Sequence, residues 1–320
     1  MSAPVPRPFV PGDADEVLQL TLRSYTPDSR WYVGDVAWHL GSSGGRGLGD
    51  HTYVWSSGHG IVAVSWWDDV DVDDEQRAVL TFVGPTELLP DIVEHCRHTL
   101  DDDVAAVDVV VLAVERDVAA ALRALGFEEV HGDVFFVNLQ CALTGDRTGD
   151  PTGDLTGSHN GVTNVGGATG PHSWPEGVSV SRADEHPAAA WVAVHRAVWP
   201  DSTLTVAERE ATTRTWPYDA RFDLVAATPD GTVVGYVTGW LPPGGSTGQL
   251  EPVGTLPDWR RRGVSRALGR AVLAAFTEAG ATRALVYARG DAAHPAARAT
   301  YESLGFREHA PQHRWQLRLR

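Results

Sequence analysis

The sequence predicts two α/β domains in tandem, joined by a linker, and three observations lead to this prediction. The chain has 320 residues, which is the length of about two ordinary domains. A Thr/Gly/Asp-rich stretch divides it near the middle. On each side, short apolar runs alternate with amphipathic segments, as strands and helices do in an α/β fold. We therefore expect an α/β (α+β) protein whose two domains each form a mixed sheet flanked by helices.

The dividing stretch reads TGDR-TGDP-TGDL-TGSH from Thr144 onwards. It contains few large apolar residues and cannot bury enough surface to order itself. We expect a flexible linker over residues 141–176, between an N-terminal domain over 1–140 and a C-terminal domain over 177–320. A calcium-binding Gly-Asp repeat would need a longer nonapeptide pattern with apolar positions, which is missing.

The C-terminal domain begins with a predicted strand over 178–182 and a predicted helix over 185–199. A second helix starts after Thr205, with Glu208 three residues on, as in a capping box. The turn residues Pro229-Asp230-Gly231 join the next two strands in a hairpin. We expect strands over 222–228, 232–241 and 249–255, a helix over 262–279, a strand over 283–288 and a helix over 293–304. Two final strands end the domain.

The N-terminal domain repeats this order more faintly, from a strand over 7–10 and a helix over 13–24 to two strands over 126–131 and 133–139. The segment ALRALGF from Ala121 matches TYESLGF from Thr300. Each of these segments is followed by two strands that end a domain. The match predicts a duplicated fold. Between the first helix and the last two strands of the N-terminal domain, we expect a hairpin over 51–57 and 61–67. A strand over 77–83, a helix over 86–100, a strand over 105–114 and a helix over 116–125 follow it.

Composition excludes several classes of function. All 26 basic residues are arginine, so chemistry that needs an ε-amine, such as a P-loop lysine or a pyridoxal-phosphate Schiff base, is excluded. The net charge of −16 lies in residues 1–140, which disfavours contact with nucleic acid or an anionic membrane. Neither a signal peptide nor a membrane span is visible, and the two cysteines indicate no disulfide framework. We expect a cytoplasmic protein, bacterial by its composition.

The segment EPVGTLPDWRRRGVSRAL, which starts at Glu251, carries the strongest chemical signal. A strand ends at Thr255, and a short arginine-rich loop then leads into the N-terminus of a helix. Unpaired N–H groups and the positive end of the helix point at one place there, which makes a cradle for an anion. Gly263 lets the backbone approach phosphate groups without a Cβ in the way. The alternative is an exposed basic start to a surface helix.

This segment resembles the R/Q-x-x-G-x-G/A signature of the GNAT superfamily of N-acetyltransferases. A second segment, HPAARATYESLGF from His294, is similar to the N-x-x-A-x-x-x-Y-x-x-x-G-F pattern of the same superfamily. The resemblance covers residues 178–320. Two positions depart from the pattern, since Ser265 replaces a usual Gly or Ala and His294 replaces a frequent Asn.

The resemblance implies a splayed sheet whose fourth and fifth strands separate to admit acetyl-CoA, with no metal. Tyr301 is the implied acid for the departing thiolate, and a Tyr packed on its helix face is the alternative. Glu251 is the candidate base, on the strand face of Val253, with a solvated strand carboxylate as the alternative. His294 is a weaker candidate for the base. The resemblance implies that the pyrophosphate lies on the backbone of 261–266 and that the pantetheine arm and the acetyl carbonyl lie along 253–255. The implied cofactor-binding residues are Val253, Gly254, Thr255, Arg260, Arg261, Arg262, Gly263, Val264, Ser265, Arg266 and His294.

The N-terminal copy lacks the cradle, because Gly84-Pro85 leads directly into a helix with Glu87 and Asp91 where phosphate would lie. Leu122 takes the position that corresponds to Tyr301. We predict that this copy binds no CoA and serves as a scaffold or a wall of the substrate site.

Two further acidic or histidine-rich segments, 69–74 and 94–98, lack the spacing of a complete metal site, and we read them as solvated surface. Four tryptophans of the C-terminal domain lie in elements that border the acceptor site in this superfamily, with core packing as the default interpretation. They are Trp191, Trp199, Trp216 and Trp240.

The sequence therefore predicts an acetyl-CoA-dependent N-acetyltransferase that acts on a small primary amine by direct attack, as a monomer or homodimer. A catalytically silent acetyl-CoA sensor or interaction protein is the alternative from another class. Within the enzyme class, the tandem layout is similar to mycothiol synthase, which acetylates a cysteinyl amino-sugar. The acceptor itself cannot be identified from the sequence.

Overall fold

A computed structural model describes residues 4–72, 74–131, 136–143, 174–290 and 295–319. Most of the predicted linker, together with His294 and Asp73, lies outside these ranges. The linker therefore stays a prediction. In the described part of the chain, no helix is long and apolar enough to span a membrane.

Eight α-helices and thirteen strands are described. The helices are α1 Ala14–Ser24, α2 Val33–Ser42, α3 Leu89–Thr99, α4 Arg116–Ala124, α5 Ala188–Val198, α6 Val206–Thr212, α7 Val264–Glu278 and α8 Pro295–Ser303. The strands are β1 Val5–Pro8, β2 His51–Ser57, β3 Gly60–Val72, β4 Glu75–Val83, β5 Ala106–Leu112, β6 Glu128–Val130, β7 Phe136–Ala142, β8 Ser179–Arg182, β9 Asp223–Ala227, β10 Val233–Trp240, β11 Thr247–Thr255, β12 Arg283–Arg289 and β13 Arg307–Arg318.

The chain divides into two compact units. The N-terminal unit comprises Met1–Asn138, Tyr287–Pro295 and Glu308–Arg320, and the C-terminal unit comprises Leu139–Val286 and Ala296–Arg307. Both contain mixed sheets flanked by helices, so the predicted fold class is confirmed.

In the N-terminal unit the strand order is β1-β2-β3-β4-β5-β13, and β6 also pairs with β13. The antiparallel strands β2, β3 and β4 lead to β5, which runs parallel to β4. Their apolar side chains and those of α3 and α4 form one core, which contains Trp55, Trp67 and Trp315. His95 packs its ring edge-on against Tyr53 and Trp55 in this unit, so reading His95 as a surface residue was wrong.

The C-terminal strand does not follow the domain bounds that the sequence predicts. Residues 308–320 belong to the N-terminal unit, because β13 pairs antiparallel with β5 from Gln312↔Leu112 to Arg318↔Ala106. Asp108 of β5 is buried and accepts hydrogen bonds from the Arg314 Nη1 (2.7 Å) and Gln316 Nε2 (2.9 Å) atoms of β13. These bonds to a buried carboxylate fix the register of the last strand.

In the C-terminal unit the strand order is β12-β11-β10-β9-β8. The capping box predicted for α6 is present, since the Glu208 N–H donates to Thr205 Oγ1 at 3.2 Å and the Thr205 N–H to Glu208 Oε2 at 2.8 Å. Helix α7 packs on one face of β10, where an added Cβ at Gly239 would meet Phe276 at 2.8 Å. Because successive residues of a strand face opposite sides, Tyr236 points to the other face, where Trp191 of α5 lies 4.3 Å away between ring centroids.

Candidate active site

Strand β11 has an open edge in its second half. β11 and β12 run parallel and pair at only three positions, from Thr247↔Arg283 to Gln249↔Leu285. On its other side, β11 stays paired with β10 as far as Thr255. Among the described residues, no strand therefore covers the β12-facing edge of β11 beyond Gln249, so the predicted separation of the fourth and fifth strands of this domain is confirmed. Such an edge offers backbone N–H and C=O groups to an extended ligand.

The open edge leads directly into a loop whose N–H groups are unpaired. After β11, a short 3-10 helix over Pro257–Trp259 precedes a turn in which Arg261 has φ +61° and Gly263 φ +85°. The first helical bond of α7 is that from the Ala267 N–H to the Gly263 carbonyl, at 2.9 Å. In the described part of the chain, no backbone carbonyl accepts an N–H group from residues 261–266. These groups and the positive end of a 15-residue helix are the kind of donors that an anion site requires.

Side chains add positive charge to this cradle. Four arginines at the site are exposed, and no carboxylate pairs with them among the residues the structure describes: Arg260, Arg261, Arg262 and Arg266. The Ser265 hydroxyl lies 2.7 Å from Thr255 Oγ1. Because two hydroxyls share one hydrogen bond, one O–H group of this pair is left to donate to a ligand oxygen. Ser265, which replaces a usual Gly or Ala, thus links the start of α7 to the end of β11 through this hydrogen bond.

The ring of Tyr236, a residue of β10, lies against the backbone of β11 at Gly254. A Cβ added to Gly254 would lie 2.5 Å from Cε1 and 2.7 Å from the hydroxyl oxygen of Tyr236. Only glycine accommodates this approach, because real Cβ atoms essentially never come that close to another heavy atom. The phenol therefore sits beside the backbone that was predicted to hold the acyl carbonyl.

Glu251 lies at an irregularity in β11. Val237 and Gly239 pair with Val253 and Leu250, so two residues of β11 stand opposite Thr238. The prediction that Glu251 shares the strand face of Val253 is wrong, because the two-residue alternation does not run through this bulge. The Trp240 Nε1–H group donates to the Glu251 carbonyl at 2.6 Å and holds the bulge. The Glu251 side chain is half-buried.

Tyr301 of α8 lies within electrostatic range of Glu251. Tyr301 is 8% exposed and packs edge-on against Phe306, with 6.0 Å between ring centroids. Burial raises the pKa of the Tyr301 hydroxyl, and the negative charge of Glu251 raises it further. A phenol in this state is protonated at neutral pH, as a general acid must be before it donates.

A buried polar cluster behind Tyr236 was not predicted from the sequence. The Trp199 Nε1–H group donates to the Tyr236 hydroxyl at 3.0 Å, and His195 Nδ1 lies 2.8 Å from the same oxygen. His195 stacks on Trp191 with 5.1 Å between ring centroids. Burial and the charge of Arg209 lower the pKa of His195 to about 4, so the ring is neutral at pH 7. No local motif marks these residues, because they come from α5, its C-terminal end and β10.

Arg209 itself forms a buried ion pair with Asp223. Asp223 also accepts hydrogen bonds from the Tyr218 hydroxyl at 2.7 Å and from Thr238 Oγ1 at 2.9 Å. The guanidinium lies over Trp191, 4.2 Å from the ring centroid. Its charge is thus compensated within the core.

The N-terminal unit opens in the same place but lacks the cradle. β4 and β5 pair from Arg77↔Ala106 to Leu80↔Val109, and both strands continue beyond that point. A small, partly open cavity of about 90 Å³ lies there, lined among others by Phe82, Trp31 and Val110. β4 then leads through Gly84 and Pro85 into a 3-10 helix, with no arginine in the loop. Since proline has no N–H group, this loop offers fewer donors to an anion.

Glu251, Gly254 and the cradle at the start of α7 follow one another along the chain, and Tyr301 of α8 lies within electrostatic range of Glu251. His294 lies outside the described residues. No cluster of three or more His, Cys, Asp or Glu side chains suited to a metal ion occurs in the described ranges.

Comparison with known proteins agrees with this geometry. The model of the acetyltransferase (GNAT) family matches residues 189–306, which include β11, the cradle and α8. No curated relative matches the sequence.

Solved structures resemble the chain over nearly its whole length. A tandem GNAT protein from the clavulanic acid biosynthesis pathway has a TM-score of 0.58 at 18% identity, with 98% of each chain covered. A GCN5-related N-acetyltransferase from Sphaerobacter thermophilus has a TM-score of 0.54 at 16% identity, covering 99% of this chain and 96% of that one. N-myristoyltransferase of Saccharomyces cerevisiae with bound myristoyl-CoA has a TM-score of 0.53 at 12% identity, covering 99% and 79%. These similarities establish the tandem fold.

Proposed function

Because residues 189–306 match the model of the acetyltransferase (GNAT) family, we propose that this chain transfers the acetyl group of acetyl-CoA to a primary amine of a small molecule by direct attack. The observation that carries the proposal is the continuity of the site. The open edge of β11 leads within a few residues to unpaired N–H groups at the start of α7. An extended thioester with a pyrophosphate at its far end matches that sequence of donors.

In this proposal the backbone holds the acyl-CoA. The N–H groups of residues 261–266 receive the pyrophosphate, and the exposed arginines at 260, 261, 262 and 266 add charge around it. Val253, Gly254 and Thr255 bind the pantetheine arm and the acetyl carbonyl through the open edge. A hydrogen bond to that carbonyl stabilises the negative charge that grows on its oxygen as an amine attacks. Val264 and Ser265 lie in the first turn of α7, at the cradle. His294 is a further proposed contact to the cofactor.

Proton transfers complete the reaction. A cationic amine first gives one proton to Glu251, directly or through water, and its nitrogen then forms a bond to the acetyl carbon. The C–S bond breaks, and Tyr301 donates its proton to the departing thiolate. The nitrogen loses its second proton as the amide forms, which restores the Tyr301 phenol. The balance is one amide, one free thiol and one proton released to solvent.

Thiol release from acetyl-CoA, measured against a panel of primary amines, tests this function. Tyr301→Phe should lower kcat by about 100-fold or more, in the usual range for loss of a general acid. Glu251→Gln should lower kcat at neutral pH and leave the KM for acetyl-CoA nearly unchanged. Gly263→Glu should instead raise that KM, since a negative side chain would enter the cradle.

Two results would oppose the proposal. Unchanged turnover in Tyr301→Phe and Gly263→Glu would show that the site is elsewhere. Tight binding of acetyl-CoA with no acetylated product across a broad amine library would indicate a silent binding protein. Replacing acetyl-CoA by longer acyl-CoA esters in the same assay shows whether acetyl is the preferred group.

A further inference from the structure

The side chain of Tyr236 lies over the strand that is proposed to hold the acyl group. Tyr236 of β10 and Gly254 of β11 stand directly opposite each other in the antiparallel pair, so their side-chain positions share one face of the sheet. The three Tyr236 atoms nearest to a Cβ on Gly254 are Cε1, Cζ and the hydroxyl oxygen, at 2.5, 2.6 and 2.7 Å. These atoms form the outer end of the side chain. The ring therefore leans across β11 towards its open edge.

This ring takes the place of a side chain at Gly254. No described strand pairs with the β12-facing edge of β11 beyond Gln249, and glycine has no side chain of its own, yet Gly254 is buried. The phenol fills the volume that a side chain at this position would occupy. Tyr236 thus forms a wall on the α5 face of the open edge, beside the backbone groups of residues 253–255.

The wall is fixed by contacts at both its hydroxyl and its ring. The Trp199 Nε1–H group donates to the hydroxyl at 3.0 Å, and His195 Nδ1 lies 2.8 Å from the same oxygen. The ring packs on Trp191, with 4.3 Å between centroids, and Tyr236 is fully buried. Because the core around it is packed, the phenol cannot turn aside for a ligand without breaking these contacts.

A fixed wall at this place discriminates between acyl groups by their length. In the proposed function the thioester carbonyl binds to the backbone of residues 253–255, so the remaining carbon atoms of the acyl group lie next to the ring of Tyr236. Acetyl places one carbon there, whereas propionyl and butyryl place two and three. A packed wall does not admit an added methylene without strain, and a protein pocket separates ligands that differ by one methylene by about 10–200-fold.

We propose that Tyr236 determines which acyl group the site accepts, because its ring, held over Gly254, admits acetyl and excludes longer straight chains. The assignment rests on the proposed function for the place of the thioester. It gives a role to a residue that lies outside both of the segments that carry the sequence resemblance. Tyr236 moves no proton in this role, so its replacement changes the preference among thioesters and leaves the cradle unchanged.

Binding of four ligands to the full chain tests the proposal. Calorimetry without an amine gives the Kd values of CoA, acetyl-CoA, propionyl-CoA and butyryl-CoA, which differ only in the acyl group. We expect propionyl-CoA to bind about 10-fold more weakly than acetyl-CoA, and butyryl-CoA more weakly still. The thiol-release assay with the amine panel then repeats the comparison of the three esters as ratios of kcat/KM, which should follow the same order.

Variants separate the ring from general damage to the unit. Tyr236→Leu ends before the atoms that cover Gly254 and should remove most of the preference for acetyl-CoA, whereas Tyr236→Phe keeps the ring and should retain it. Phe222→Leu is the matched control, since Phe222 is also a buried aromatic residue but packs on Phe276 of α7, on the other face of the sheet. It should lower stability and leave the ratio of Kd values unchanged. The Kd of CoA should stay the same in all three variants.

Equal affinity of the unaltered chain for acetyl-CoA and butyryl-CoA would overturn the assignment without any variant. The same holds if Tyr236→Leu binds CoA normally and keeps the preference for acetyl-CoA, or if Phe222→Leu loses that preference to the same extent. If the order of affinities holds and changes with Tyr236 but no amine is acetylated, the proposed function fails and the assignment of Tyr236 stands. If none of the four ligands binds, both fail.

Discussion

Replacing Gly254 by alanine tests the contact on which the geometry of the site depends. The new Cβ would lie 2.5 Å from Cε1, 2.6 Å from Cζ and 2.7 Å from the hydroxyl oxygen of Tyr236. The ring must therefore retreat by about 0.5 Å to reach 3.0 Å, the limit that real Cβ atoms respect, and by more to reach an ordinary contact. Tyr236 has no room to do so, because it is 0% exposed and its hydroxyl is bound to His195 and Trp199.

Overpacking of this kind costs about 1–3 kcal/mol of folding free energy. For a cooperative unit of this size, that corresponds to a decrease of about 2–12 °C in the midpoint of thermal unfolding. Gly12→Ala is the control, since no atom lies within 4 Å of its added Cβ and its φ is not positive. It should shift the midpoint by less than about 2 °C.

A second comparison attributes the cost to the ring. In a Tyr236→Leu background, where the ring is absent, Gly254→Ala should cost less than about 0.5 kcal/mol, so that the two substitutions are not additive. Circular dichroism or differential scanning fluorimetry measures all four proteins. If Gly254→Ala is as harmless as Gly12→Ala, or costs the same with and without Tyr236, the placement of the phenol over β11 is refuted.

Three further predictions concern ionisation and capping. The pKa of His195 is lowered in the folded state from 6.5 to about 4, so the unfolded chain takes up the proton first as the pH falls. The midpoint temperature of unfolding should therefore decrease between pH 6.5 and pH 4, and this part of the decrease should be absent in His195→Gln. Both cysteines are buried, and burial raises the pKa of Cys96 to about 12. A thiol reagent at pH 8 should therefore label neither cysteine in the native protein and both in denaturant. Rapid labelling of the native protein would contradict the packing. Thr205→Ala should destabilise α6 by about 1 kcal/mol, measured by denaturant unfolding, because it removes the hydrogen bond to the Glu208 N–H; Thr205→Ser, which keeps the hydroxyl, should behave like the parent protein.

The parts of the site that are local in sequence could be predicted from sequence. The cradle is made of consecutive backbone groups between the end of β11 and the first turn of α7, and the residues that shape it are neighbours along the chain. The same holds for the capping box of α6. Tyr301 lies on a short helix at a recognisable spacing before Gly305, so its element was predictable as well.

The parts that depend on distant segments were missed. The hydrogen bonds of Tyr236 join α5 to β10, across about 40 residues, and no pattern in either segment indicates the other. The bulge at Glu251 depends on pairing with β10, so regular alternation assigned the wrong face. Helix α2 was also missed, because its sequence VGDVAWHLGS contains two glycines and few polar residues, and its helical form depends on burial in the core.

The place of β13 has a consequence for how the protein is made. A ribosome synthesises β5 some two hundred residues before β13, the strand that pairs with it. During translation, the apolar edge of β5 and the carboxylate of Asp108 await Arg314 and Gln316, so the first half of the chain cannot finish folding before the second half exists. A gene cut between the two halves would therefore express an N-terminal fragment in which the β13-facing edge of β5 is unpaired, and such an edge is prone to aggregation. Such a fragment should stay soluble only when a peptide covering residues 308–320 is supplied with it.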